Sequence, residues 1–130
     1  MNENGIARAV VNAAFEIHSR LGPGLLESVY EAVLCYELSR KGLSVKRQVP
    51  IPVVYDNIRF DEGFRADMIV NDKVIVELKS VEQVSYAHKK QLLTYLRLAD
   101  MRLGLLINFA EAIVKDGITR VVNGLNEQGD

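Results

Sequence analysis

At 130 residues the chain has the length of one domain, 1–130, with enough bulk for a hydrophobic core. Its 48% apolar and 25% charged residues are those of an ordinary soluble globular protein. A formal net charge of −1 excludes a strong overall attraction to nucleic acid or to a membrane surface and leaves such contacts to local basic patches. No stretch approaches the ~18 uninterrupted apolar residues of a membrane span, and the N-terminus has no basic-then-apolar leader pattern. The expected location is therefore the cytoplasm.

The first element is a helix. Ile6, Val10, Ala13, Ala14, Ile17 and Leu21 recur at three- and four-residue steps, and Gly22-Pro23-Gly24 ends the pattern. A second helix places Leu26, Val29, Tyr30, Val33, Leu34 and Leu38 on one face and stops at Lys41-Gly42. Cys35 lies within it; a lone cysteine makes neither an internal disulfide nor a zinc site, and reads as a small buried hydrophobe.

The period then changes. Val45–Tyr55 is rich in β-branched residues, Asp56-Asn57 is a turn, and Ile58–Val70 and Lys73–Val81 read as further strands. A third helix spans roughly Tyr86–Leu98. The apolar run within Arg102–Phe109 has the character of a buried central strand, and Ile118–Val122 is a short last one. Helices, then an antiparallel meander, then a helical crossover to a parallel strand predict an α/β architecture with a mixed sheet.

Two strands carry charges that their surroundings do not favour. Asp67 sits in Ala66-Asp67-Met68-Ile69-Val70, and Glu77 and Lys79 in Val74-Ile75-Val76-Glu77-Leu78-Lys79. A two-residue Asn71-Asp72 turn would set Asp67 against Val76. A three-residue loop, Asn71-Asp72-Lys73, sets Asp67 against Glu77, Met68 against Val76, Ile69 against Ile75 and Val70 against Val74. The second register leaves one face wholly apolar and gathers the charges on the other, so the pattern selects it.

Two carboxylates about 4 Å apart repel by roughly 4 kcal/mol at an effective dielectric near 20. Such a pair keeps a proton or recruits a cation. Lys79 supplies one positive charge, and Mg2+ or Mn2+ accepts oxygen ligands of this kind. The competing reading is a solvent-facing strand with an Asp–Lys or Glu–Lys pair. His18 and His88 read as satisfied or solvent-facing histidines.

Two further patterns bear on the choice. Gln91 and Tyr95 lie one turn apart on the third helix, and Gly24-Leu25-Leu26-Glu27-Ser28-Val29-Tyr30 reads G-x-x-E-x-x-Y. With Asp67 and Glu77-x-Lys79, and with Leu103-Gly104-Leu105-Leu106-Ile107-Asn108-Phe109, the chain resembles the GxxExxY protein family of the PD-(D/E)XK nuclease superfamily. Ala66 stands where that motif has proline. The resemblance implies a restriction-endonuclease-like αβββαβ core, its mixed central sheet flanked by helices. It also implies a metal-dependent nuclease acting on DNA or RNA. Asp67 and Glu77 would be metal ligands and Lys79 the catalytic lysine. Glu27 would be an additional acid at the metal, directly or through a water, and Gln91 would support the site. Tyr30, three residues after Glu27, reads as core packing.

The rival reading is a non-catalytic nuclease-like module for nucleic-acid binding or protein assembly. A unit this small has little room for both a site and a long substrate groove, which favours homodimerisation. Lys89, Lys90 and Arg97 are the basic residues expected to hold a nucleic-acid backbone.

Overall fold

A computed structural model describes residues 1–126; the last four residues of the expected span 1–130 lie outside the described residues. Helices α1 (Glu3–Leu21) and α2 (Glu27–Arg40) come first, followed by strands β1 (Val45–Tyr55), β2 (Ile58–Val70) and β3 (Val74–Lys79). Helix α3 (Tyr86–Ala99) then leads to β4 (Leu103–Asn108), a short 3-10 turn and β5 (Ile118–Val122). The five strands form one sheet in the order β1-β2-β3-β4-β5. β3 and β4 run parallel and every other neighbouring pair is antiparallel, so the sheet is mixed, as the sequence predicts.

Each face of the sheet has its own core. Ile6, Val10, Ala13 and Ile17 of α1 and Tyr30, Leu34 and Leu38 of α2 pack with Met68, Val70, Val74, Val76 and Leu78. On the opposite face Leu92, Tyr95 and Leu96 of α3 pack with Ile51, Ala66, Ile69, Ile75 and Leu106. β4 is buried along its whole length, as expected of a central strand under helices on both sides. Gly104 permits the close approach of α3, for a Cβ there would lie 2.8 Å from Leu92 Cδ1. Cys35 is only half-buried at the edge of the first core rather than fully enclosed. No helix among the described residues is long and apolar enough to cross a membrane.

The β2–β3 turn adopts the three-residue register. Met68 faces Val76, Ile69 faces Ile75 and Val70 faces Val74. The β1–β2 hairpin departs from simple alternation. Val45 packs with the α1/α2 core but Val49 and Ile51 with the α3 core; on β2, Met68 and Val70 belong to the first and Ala66 to the second. Residues two or four apart in a strand ordinarily share a face, so both strands turn over between these positions. Gln48 lies there with φ +51°, and the β1–β2 register sets it opposite Asp67. A left-handed residue inside a strand redirects its neighbours in the manner of a bulge.

Candidate active site

Asp67 and Glu77 meet beyond the last backbone-paired residues of β2 and β3. The two strands are joined there by their carboxylates. The Asp67 N–H donates to Glu77 Oε2 at 2.6 Å, and Leu78 N–H donates to Asp67 Oδ2 at 2.8 Å. Each acid thus engages one oxygen with the backbone of the other strand. Asp67 Oδ1 and Glu77 Oε1 accept none of the hydrogen bonds found among the described residues.

The electrostatics follow from burial. Glu77 is 5% exposed. Desolvation first, and the neighbouring Asp67 carboxylate second, push its pKa up to about 8 against the pull of the Asp67 amide and Lys79. Asp67 is raised too, again chiefly by burial, while the Leu78 amide opposes the shift. Tyr95, buried on α3, is pushed up to about 12 by burial and then by the two acids. Lys79 follows two residues after Glu77 on the same strand, but no ion pair joins it to either acid among the described residues.

A cavity of about 250 Å³ opens beside Asp67, lined by Glu27, Ser28, Glu31, Gln48 and Leu78. Helix α2 brings Glu27 to this cavity because its first turn lies over the end of β3. The Glu27 carboxylate is engaged there, its Oε2 accepting the Ser80 N–H at 3.2 Å, while Ser80 Oγ donates to the Leu25 carbonyl at 3.0 Å. The Gly22–Leu25 turn that leads into α2 is fixed from below by Tyr30. Its hydroxyl donates to the Gly22 carbonyl at 2.5 Å and accepts from Leu25 N–H at 3.2 Å. The Tyr30 ring is fully buried, as the core reading expects, and stacks on Phe109 at 4.2 Å between centroids. Phe109 in turn donates its N–H to the Lys79 carbonyl at 2.9 Å.

Glu31 is the residue that sequence reasoning passed over. It is 6% exposed. Arg47 Nε donates to its Oε2 at 2.9 Å and Gln48 Nε2 to its Oε1 at 2.7 Å, so it ties α2 to the left-handed residue of β1. Glu27 and Glu31 are four residues apart on one helix, a spacing that puts both on one face and could have flagged it. Gln91 is half-buried on α3, one turn before Tyr95, and makes no hydrogen bond to Asp67, Glu77 or Lys79 among the described residues.

Of the expected site residues, the structure brings Asp67 and Glu77 together, sets Glu27 at the cavity rim, and leaves Gln91 on the neighbouring helix. Among the described residues no three Asp, Glu, His or Cys side chains converge closely enough to form a complete metal cage. Several basic residues outside α3 are paired with acids: Lys46 with Asp72, Arg47 with Glu31 and Arg102 with Asp100. On α3, Lys89 and Arg97 remain exposed, and Lys90 lies over the Tyr86 ring at 4.7 Å.

A mixed sheet with helices on both of its faces agrees with the family comparison. The model of the PD-(D/E)XK nuclease superfamily matches residues 4–121. The chain belongs to the PD-(D/E)XK nuclease superfamily. The match is at the level of the superfamily, and it accounts for the mixed sheet with flanking helices. No curated protein and no solved structure matches the chain.

Proposed function

We propose that this superfamily member is a nuclease that hydrolyses phosphodiester bonds in DNA or RNA with the help of Mg2+ or Mn2+. The observation that carries the reading is the Asp67–Glu77 pair, two buried acids that bond to each other's strands and keep one oxygen each uncommitted. Oxygen donors of this kind suit a hard divalent cation. Asp67 and Glu77 would hold it, with Glu27 at the cavity rim as the further acid. A cation so held neutralises charge developing on a phosphate and makes water a better nucleophile at neutral pH.

The chain's own residues supply the rest. Lys79, a compact cation with three donors, orients the attacking water or a phosphate oxygen beside the acids. Gln91, one turn before Tyr95 on α3, would support the site with its amide. Exposed Lys89, Lys90 and Arg97 attract the substrate backbone. Burial of Glu77 restricts bulk water around the pair, which strengthens electrostatic interactions there.

The experiment is a cleavage panel of single-stranded, duplex and branched DNA and RNA with Mg2+ or Mn2+. Cleavage should vanish in Lys79→Ala and Glu77→Ala and on chelation. A folded wild-type protein inactive on the whole panel overturns the reading. A second reading, a nuclease-like module that binds or assembles without cutting, draws support from the absence of a three-acid cage among the described residues. It predicts salt-dependent binding without cleavage.

A further inference from the structure

The β1–β2 hairpin outruns the rest of the sheet. Continuing the β2–β3 register, Lys79 falls opposite Arg65, and β3 ends there. From Phe64 to the Asp56-Asn57 turn, β2 has only β1 beside it. This two-stranded ribbon leaves the sheet at the Lys79 end. Along β1, Ile51, Val53 and Tyr55 alternate onto one face, and their partners Phe64, Phe60 and Ile58 follow them across a register shift between Ile51 and Val53. That face begins as core under α3, where Ile51 is buried and the Phe64 ring lies 5.1 Å from Tyr95. It then runs into solvent, with Phe64 39%, Phe60 41%, Ile58 55% and Tyr55 74% exposed.

We infer that this apolar face is a homodimer interface, occupied by the same ribbon of a second copy. An isolated two-stranded hairpin is marginal in water and gains stability when its apolar face is covered. The exposed parts of these four large side chains amount to on the order of a few hundred Å². That is a substantial fraction of the roughly 800 Å² per partner of a standard interface.

Charge selects the occupant. Between Pro52 and Arg65 the ribbon carries Arg59 and Arg65 against Asp56, Asp61 and Glu62, and Arg59 is bonded to Asp61 at 2.8 Å. Such a surface does not draw phosphates. The overall charge of −1 lets two copies approach without strong repulsion. Pro50 and Pro52 strip donors from the outermost strand, which disfavours lengthening the sheet edge to edge. Contact through the face remains, and a patch centred on the Val53–Phe60 pair can meet its own copy about a two-fold axis. The partner would then cover the same end of the sheet as the paired acids.

The test is solution mass by sedimentation velocity across the micromolar range, which does not depend on cleavage. Wild type should dimerise. Phe60→Asp, and the milder Tyr55→Ser, should shift the protein to monomer with the far-ultraviolet spectrum unchanged. Val54→Asp, on the ribbon's other face where Val54 pairs with Arg59, should leave the dimer intact. A monomeric wild type overturns the inference. So does a dimer indifferent to both Phe60→Asp and Tyr55→Ser. A monomer whose single-stranded DNA binding falls in Phe60→Asp also overturns it, in favour of a base-stacking surface.

Discussion

Asp67 and Glu77 each accept a backbone amide from the strand that carries the other, at 2.8 Å from Leu78 and 2.6 Å from Asp67. The acids therefore complete the sheet where its backbone ladder stops. Their second oxygens stay uncommitted, so the geometry that helps hold the strands together also leaves donors for a cation.

Metal-free stability should fall as pH rises from about 4.5 toward 8. Glu77 goes from its ordinary value of 4.5 to about 8 on folding, so the native state holds a proton that the unfolded chain has lost. Its stabilising contribution is complete below 4.5 and disappears as pH passes through the folded value. The slope in between is at most ~1.4 kcal/mol per pH unit for one proton. Asp67, also raised, acts in the same direction. Thermal melts in chelator across this range check it; stability that climbs through the window would contradict the burial of the pair. Saturating Mg2+ should flatten or reverse the slope, because the cation takes the proton's place.

Replacements at Glu77 should separate charge from hydrogen bonding. Glu77→Gln keeps a carbonyl oxygen for the Asp67 amide and removes the repulsion. At pH 8 without metal it should equal or exceed wild type in stability, yet lose Mn2+ binding by calorimetry. Glu77→Ala strands the Asp67 N–H and should lose about 1–3 kcal/mol in urea unfolding. A clear loss in Glu77→Gln would mean the negative charge itself has a structural partner.

Tyr30→Phe should keep the stack on Phe109 and lose both hydroxyl bonds to the Gly22–Leu25 turn. The expected loss is about 1–3 kcal/mol, with faster amide exchange at Leu25. Tyr30→Ala empties a fully buried site and should lose about 3–5 kcal/mol. Equal stability for wild type and Tyr30→Phe would show that the turn is held by Ser80 alone.

Much of this was legible in the residues. The β2–β3 register followed from side-chain alternation, because a one-residue slip would have turned Met68, Val70, Val74 and Val76 away from their core. The turnover at Gln48 and Asp67 was not legible, since glutamine is not among the residues that mark a left-handed backbone. Without it, Val45–Tyr55 reads as one strand with one inner face, and the ribbon's apolar overhang cannot be seen. Glu31 escaped because a helical glutamate ordinarily faces water. Only the tertiary approach of Arg47 and Gln48 makes its burial tolerable.

The structural use of the acids, beside the catalytic one proposed for them, constrains how this chain can vary. A substitution that silences the chemistry but preserves an oxygen acceptor, Asp67→Asn or Glu77→Gln, leaves the strand junction intact. A change to valine or alanine should loosen the sheet and, on the proposed function, remove the chemistry with it. Catalytically silent descendants should therefore carry amides at 67 and 77 rather than hydrocarbons. An oxygen acceptor at either position is under selection from the fold, and its negative charge only from a reaction.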